Sequence, residues 1–197
     1  MNGEKLAILD FDGTLYRGDS MRDFARFLNP FRYYLSLFKL LFPYLQMLSG
    51  NASRDDLKAL FLKHNFAGYS EEELNEKGDQ FYDKYVKRCY PSALEWIAKE
   101  QRENTRFLIL SGSCTPWLRP FSRAFGADLI CTELSFDNNA CTGEWKDKNM
   151  TGHTKHEALK NYLQQHPEVR YSIAFGDSKS DAISGALADE YHQNYFH

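Results

Sequence analysis

The sequence has 197 residues, 43% hydrophobic and 26% charged, enough apolar material to bury one core, which excludes a disordered or fibrous chain. Lys and Arg number 24 against 27 Asp and Glu, a net charge of −3, and the cations form no stripe interleaved with aromatics, so no nucleic-acid partner is expected. The cysteines at 89, 114, 131 and 141 form no CxxC pair and no zinc-ligand spacing, which points to a reducing compartment. The opening MNGEKLAILDFDGT has no apolar stretch before its acidic residues, so the sequence predicts a cytoplasmic protein without a secretory leader.

In chain order, KLAILD reads as a buried strand over residues 5–10. Ser20 offers a cap for a helix over 21–29. Residues 31–48, FRYYLSLFKLLFPYLQML, are almost all apolar or aromatic, broken by Arg32, Lys39 and Pro43. That run is too short and too charged to span a bilayer. It reads as a helical hairpin buried in the protein, the alternative being a hairpin that turns an apolar face to a membrane surface or lipid tail. Ser53 and Ser70 begin capping arrangements for helices over 54–64 and 71–88, and Pro91 suits the first turn of another helix.

From about residue 104 strands and helices alternate. RFLILS (106–111), DLICTEL (128–134) and YSIAFGD (171–177) read as strands. Helices are expected over 115–125, over 154–165 with Thr154 as cap, and over 179–188, with a short hairpin around Asp137-Asn-Asn139. The pattern predicts an α/β protein with a Rossmann-like parallel sheet. Residues 1–15 and 91–197 would form its core domain, and 16–90 an all-helical cap inserted after the first strand.

Three strands end in polar groups: Asp10-Phe-Asp12-Gly-Thr14, Ser111-Gly-Ser113 and Gly176-Asp177-Ser-Lys-Ser-Asp181. A parallel sheet brings such ends to one rim, where ligands bind. Four carboxylates converging there need a cation, and an oxygen-only ligand set indicates Mg²⁺. Lys155, at a helix start, supplies a point charge for a phosphoryl group. Acids, hydroxyl, lysine and metal together describe phosphoryl chemistry.

DFDGTL at 10–15, the strand end Ser111-Gly112, Lys155 within TGHTKHEAL, and GDSKSD at 176–181 resemble the four motifs of the haloacid-dehalogenase-like (HAD) hydrolase superfamily. The helical insertion after the first motif resembles the subgroup that includes phosphoserine phosphatase. The resemblance implies Asp10 as nucleophile, Asp12 as general acid and base, and Mg²⁺ held by Asp10, the Asp12 carbonyl and Asp177, with Asp181 behind it. It implies Ser111, Gly112 and Lys155 on the phosphoryl oxygens. The activity implied is hydrolysis of a small phosphomonoester metabolite through a phospho-aspartate. The alternatives are a phosphatase of lipid head-group phosphates, a receiver-type signalling protein and a non-catalytic phosphate binder. Asp19 stands where phosphoserine phosphatases carry a glutamate, and Arg54 is a further candidate for substrate contact.

Overall fold

A computed structural model describes residues 4–197. Its central strand, β1 (Glu4–Leu9), is buried from Leu6 onward. β2 (Arg106–Cys114), β3 (Ala127–Thr132), β6 (Val169–Gly176) and β7 (Glu190–Gln193) join it in the order β3-β2-β1-β6-β7. Every neighbouring pair is parallel. Such strands read as unbroken apolar runs because both sheet faces are covered. Ala7 and Leu9 enter the larger core and Leu6 and Ile8 the smaller one on the opposite face, following the two-residue period of a strand. Helices α5 (Pro91–Arg102), α6 (Thr115–Phe125), α7 (His153–Gln165) and α8 (Lys179–Gly185) connect the strands. This is the expected α/β class.

Four helices follow β1 and precede α5, which leads back to the sheet: α1 (Ser20–Leu28), α2 (Pro30–Leu48), α3 (Arg54–Phe66) and α4 (Glu71–Tyr85). The Ser53 and Ser70 capping boxes form as read, with Asp56 and Glu73 closing them. The helices share a core with the sheet: Phe24 stacks on Trp117 of α6 at 4.9 Å between ring centroids, and Phe66 on the same indole at 5.3 Å.

Three local expectations are corrected. Residues 31–48 are not a hairpin but part of one 19-residue helix with Pro43 inside it. No Gly or Asn interrupts the run before Gly50-Asn51, so nothing in it makes a turn. Tyr33, Ser36 and Leu40 pack inward, and the helix continues past a proline that costs about 3 kcal/mol. Asp19, not Ser20, caps α1. Gly152, not Thr154, precedes the first turn of α7, at φ +49°.

β7 was not foreseen, because EYHQ is a short, polar edge strand without an apolar pattern. The hairpin around Asp137 is β4 (Leu134–Asp137) and β5 (Ala140–Trp145), joined through Asn138 and Asn139, both at positive φ. It docks on the helical block, the Cys141 carbonyl accepting from the Gly68 N–H at 2.8 Å.

Candidate active site

β1 lies between β2 and β6, so Asp10 and Asp177, each just past the end of its strand, and Ser111, in the last part of β2, become neighbours despite their distance in sequence. The Asp10 backbone N–H still bonds the Phe175 carbonyl at 3.0 Å, and the chain then turns away. Gly13 makes that turn at φ +78°, and a Cβ there would stand 2.1 Å from Asp177 Oδ2. Only glycine fits this approach.

The two carboxylates of the DFD sequence part company, as expected if the strand ends between them. Asp10 accepts from Lys155 Nζ at 2.6 Å and from the Thr14 hydroxyl at 3.1 Å. Asp12 accepts from the Ser20 N–H at 2.6 Å and from the Ser113 hydroxyl. Ser20 Oγ in turn lies 3.0 Å from Ser113 Oγ and accepts from Trp117 Nε1 at 3.1 Å. The start of α1 and the end of β2 thus hold Asp12 together. Lys155 reaches from the first turn of α7 to Asp181 Oδ1 as well, again at 2.6 Å.

A cleft of about 460 Å³ collects Asp10, Asp12, Asp19, Ser111, Gly112, Lys155, Asp177 and Asp181. Of the residues singled out in the sequence, only Arg54 lies outside it. Arg54 lines an adjoining groove of about 370 Å³ whose walls include Leu37, Leu40, Tyr44 and Phe61. A larger hollow beyond β3, about 730 Å³ and lined by Arg119, Lys146 and Lys148 among others, contains none of them.

Sequence reasoning missed Lys58 and Asn149. Lys58, half-buried in the cleft wall, donates to the Gly112 carbonyl at 2.6 Å and to Asn149 Oδ1. Asn149 donates to Asp55 at 2.7 Å, tying α3 to the rim. One signal was available: Lys58 is one helical turn beyond Arg54, on the same face of α3.

The sequence matches the profile of the haloacid dehalogenase-like hydrolases over residues 7–182. The chain belongs to this family. Protein CicA of Caulobacter vibrioides is 26% identical over 188 residues, 94% of this chain and 83% of CicA. A Bordetella pertussis protein of unknown function superposes with a TM-score of 0.81 at 18% identity, over 96% of this chain and 89% of that one. A probable phosphoserine phosphatase from Vibrio cholerae gives a TM-score of 0.71 at 17% identity, over 96% of this chain and 56% of that one. The chain is therefore a HAD-type hydrolase with phosphatases among its structural neighbours.

The charge balance of this hydrolase's cleft tests the metal. Carboxylate oxygens of Asp10, Asp177 and Asp181 lie within 4.8 Å of one another. Burial pushes Asp10 up to about 6, the opposing pull of Lys155 notwithstanding, with Asp181 and Asp177 adding like charge. Asp177 is raised for the same two reasons, burial and the nearby Asp181. Burial also works to raise Asp181, but Lys155 and Ser178 outweigh it and hold it below its ordinary value. One ammonium among three carboxylates leaves a negative excess, and an all-oxygen donor set of this size fits Mg²⁺. Asp12 stands apart from the cluster. Burial raises it to about 7, and the Asp19 carboxylate adds to the effect.

Proposed function

We propose that this hydrolase cleaves phosphomonoesters through a phospho-aspartate on Asp10. The observation that carries the reading is the separation of the two carboxylates: Asp10 faces Lys155, whereas Asp12 is turned to Ser20 and Ser113 and raised to about 7. An acid with that value is about half protonated at neutral pH, and so suited both to donate a proton and to take one back. An Asp10 oxygen attacks phosphorus, the bond to the leaving oxygen breaks, and Asp12 gives that oxygen its proton. Asp12, now a carboxylate, takes a proton from the water that attacks the phospho-aspartate. The bond from phosphorus to the Asp10 oxygen breaks, and Asp10 is regenerated.

Ser111, the Gly112 N–H and Lys155 hold the phosphoryl oxygens as charge develops. Mg²⁺ would be held by Asp10, Asp177, Asp181 and the Asp12 carbonyl. When bound there, the ion would supply positive charge to offset the carboxylates facing a phosphoryl group. Residues 16–90 act as the cap that selects the leaving group.

The substrate is a small phosphorylated metabolite in this reading, with Asp19 available to a cationic group. A second reading, a lipid head-group phosphate, draws support from the apolar groove, which shares Asp19, Met21 and Lys58 with the cleft. The experiment is phosphate release from a panel of amino-acid, sugar and lysolipid phosphates, with Mg²⁺ and after chelation by EDTA. Mg²⁺-dependent release from at least one substrate is expected. Full release in excess EDTA, with retained metal excluded by elemental analysis, refutes the metal assignment. Release from lysolipid phosphates alone selects the second reading.

A further inference from the structure

Helix α2 turns its most apolar side outward. Phe31, Tyr34, Leu35, Phe38, Phe42 and Leu45 form one stripe along it, and Phe31, Phe38 and Phe42 are 80%, 77% and 68% exposed. The side packed inward carries Tyr33, Ser36 and Leu40. Phe38 and Phe42 therefore do not line the groove. A surface helix ordinarily buries its apolar stripe, and a contiguous exposed one marks an interaction site.

The charge of this region selects the partner. Between Phe24 and Arg54 the sequence holds Arg26, Arg32, Lys39 and Arg54 and no Asp or Glu, in a chain whose net charge is −3. Lys39 is exposed and lies about 100° round the helix from Phe38, at the edge of the stripe. Arg26, exposed on α1, pairs with Asp23 at 3.3 Å. Aromatic and leucine side chains with cations along the margin are the composition of a helix lying in a bilayer interface. No helix among the described residues is long and apolar enough to cross a membrane.

We propose that α2 seats the protein on an anionic lipid bilayer, with its axis along the surface and Phe31, Phe38, Phe42 and Leu45 in the acyl boundary. Arg26 and Lys39 meet the anionic head groups. The same stripe suits a second copy less well. A two-fold pairing of antiparallel α2 helices brings Lys39, the middle residue of 30–48, against its own mate, and the stripe has no acid to neutralise the pair. The docked stripe borders the apolar groove, whose wall includes Leu37 and Tyr44 of the same helix.

Flotation of the full chain with phosphatidylcholine vesicles, with and without about 30 mol% phosphatidylglycerol, tests this without reference to catalysis. The wild type is expected to float with the anionic vesicles and to be released by high salt. Phe38→Ser/Phe42→Ser should lower the bound fraction at least about tenfold. Its thermal midpoint and its turnover of a soluble phosphomonoester should stay those of the wild type, because both rings face solvent. Lys39→Glu, which leaves the stripe intact, should lose the preference for phosphatidylglycerol. Wild type that stays unbound to both vesicles overturns the proposal. So does a wild-type dimer in solution that the double substitution converts to monomer.

Discussion

Asp19 shows how one side chain serves two tasks. It caps α1, accepting from the Arg22 N–H at 2.9 Å, and it also lines the cleft and the groove. Asparagine caps as well as aspartate, whereas alanine does not. Asp19→Ala should therefore cost about 0.5–2 kcal/mol in urea unfolding and Asp19→Asn much less. If both impair turnover equally, the carboxylate charge and not the cap matters for substrate.

Glu100 gives a cleaner electrostatic test, far from any metal ligand. Its burial works to raise its pKa, but donation from Lys5 Nζ and Thr105 Oγ1, both at 2.7 Å, outweighs burial and holds it below the ordinary 4.5. A depressed folded-state pKa stabilises above the unfolded value, and that contribution is lost as pH falls through the folded one. Unfolding near neutral pH and at about pH 4 or below should show wild type losing more stability than Glu100→Gln over this interval. Equal losses would mean that the Glu100 carboxylate contributes no linkage.

At the scale of elements, the close contact of α4 with α6 sets two effects against each other. Replacing a helix-interior glycine by alanine ordinarily gains up to about 1 kcal/mol. At Gly78, however, a Cβ would stand 1.9 Å from the Pro116 carbonyl oxygen, which is backbone and cannot swing aside. Overpacking of this kind costs about 1–3 kcal/mol or more, so Gly78→Ala should lower the thermal midpoint despite its better propensity. A raised midpoint would show that the two helices separate easily.

Element chemistry also explains what the sequence disclosed. Asp10, Ser111 and Asp177 were legible because each stands at or just past the end of an apolar run, and Lys155 and Asp181 because each opens a helix. Lys58 and Asn149 were not, since their meeting depends on how α3 folds back to the rim. The outward stripe of α2 was misread because hydrophobic spacing identifies a helix face but not which way it points.

Over the whole molecule, strand order does most of the positioning. With β1 between β2 and β6, Asp10 meets Ser111 and Asp177, each more than a hundred positions away, and Lys155 reaches in from α7 to join them. The helices after β1 then wall the cleft through Asp19 and Lys58 and extend it into an apolar groove. In the proposed mechanism Asp10 is the nucleophile on which the chemistry depends, and its side chain, paired with Lys155 and Thr14, contributes little to the apolar core. Steady-state phosphate release by Asp10→Asn, on a phosphomonoester the wild type hydrolyses with Mg²⁺, is the most direct measurement. The expected result is a folded protein, unchanged in far-ultraviolet circular dichroism, with turnover reduced at least about a thousandfold. A folded Asp10→Asn protein releasing phosphate within about tenfold of the wild-type rate would contradict a covalent route through Asp10.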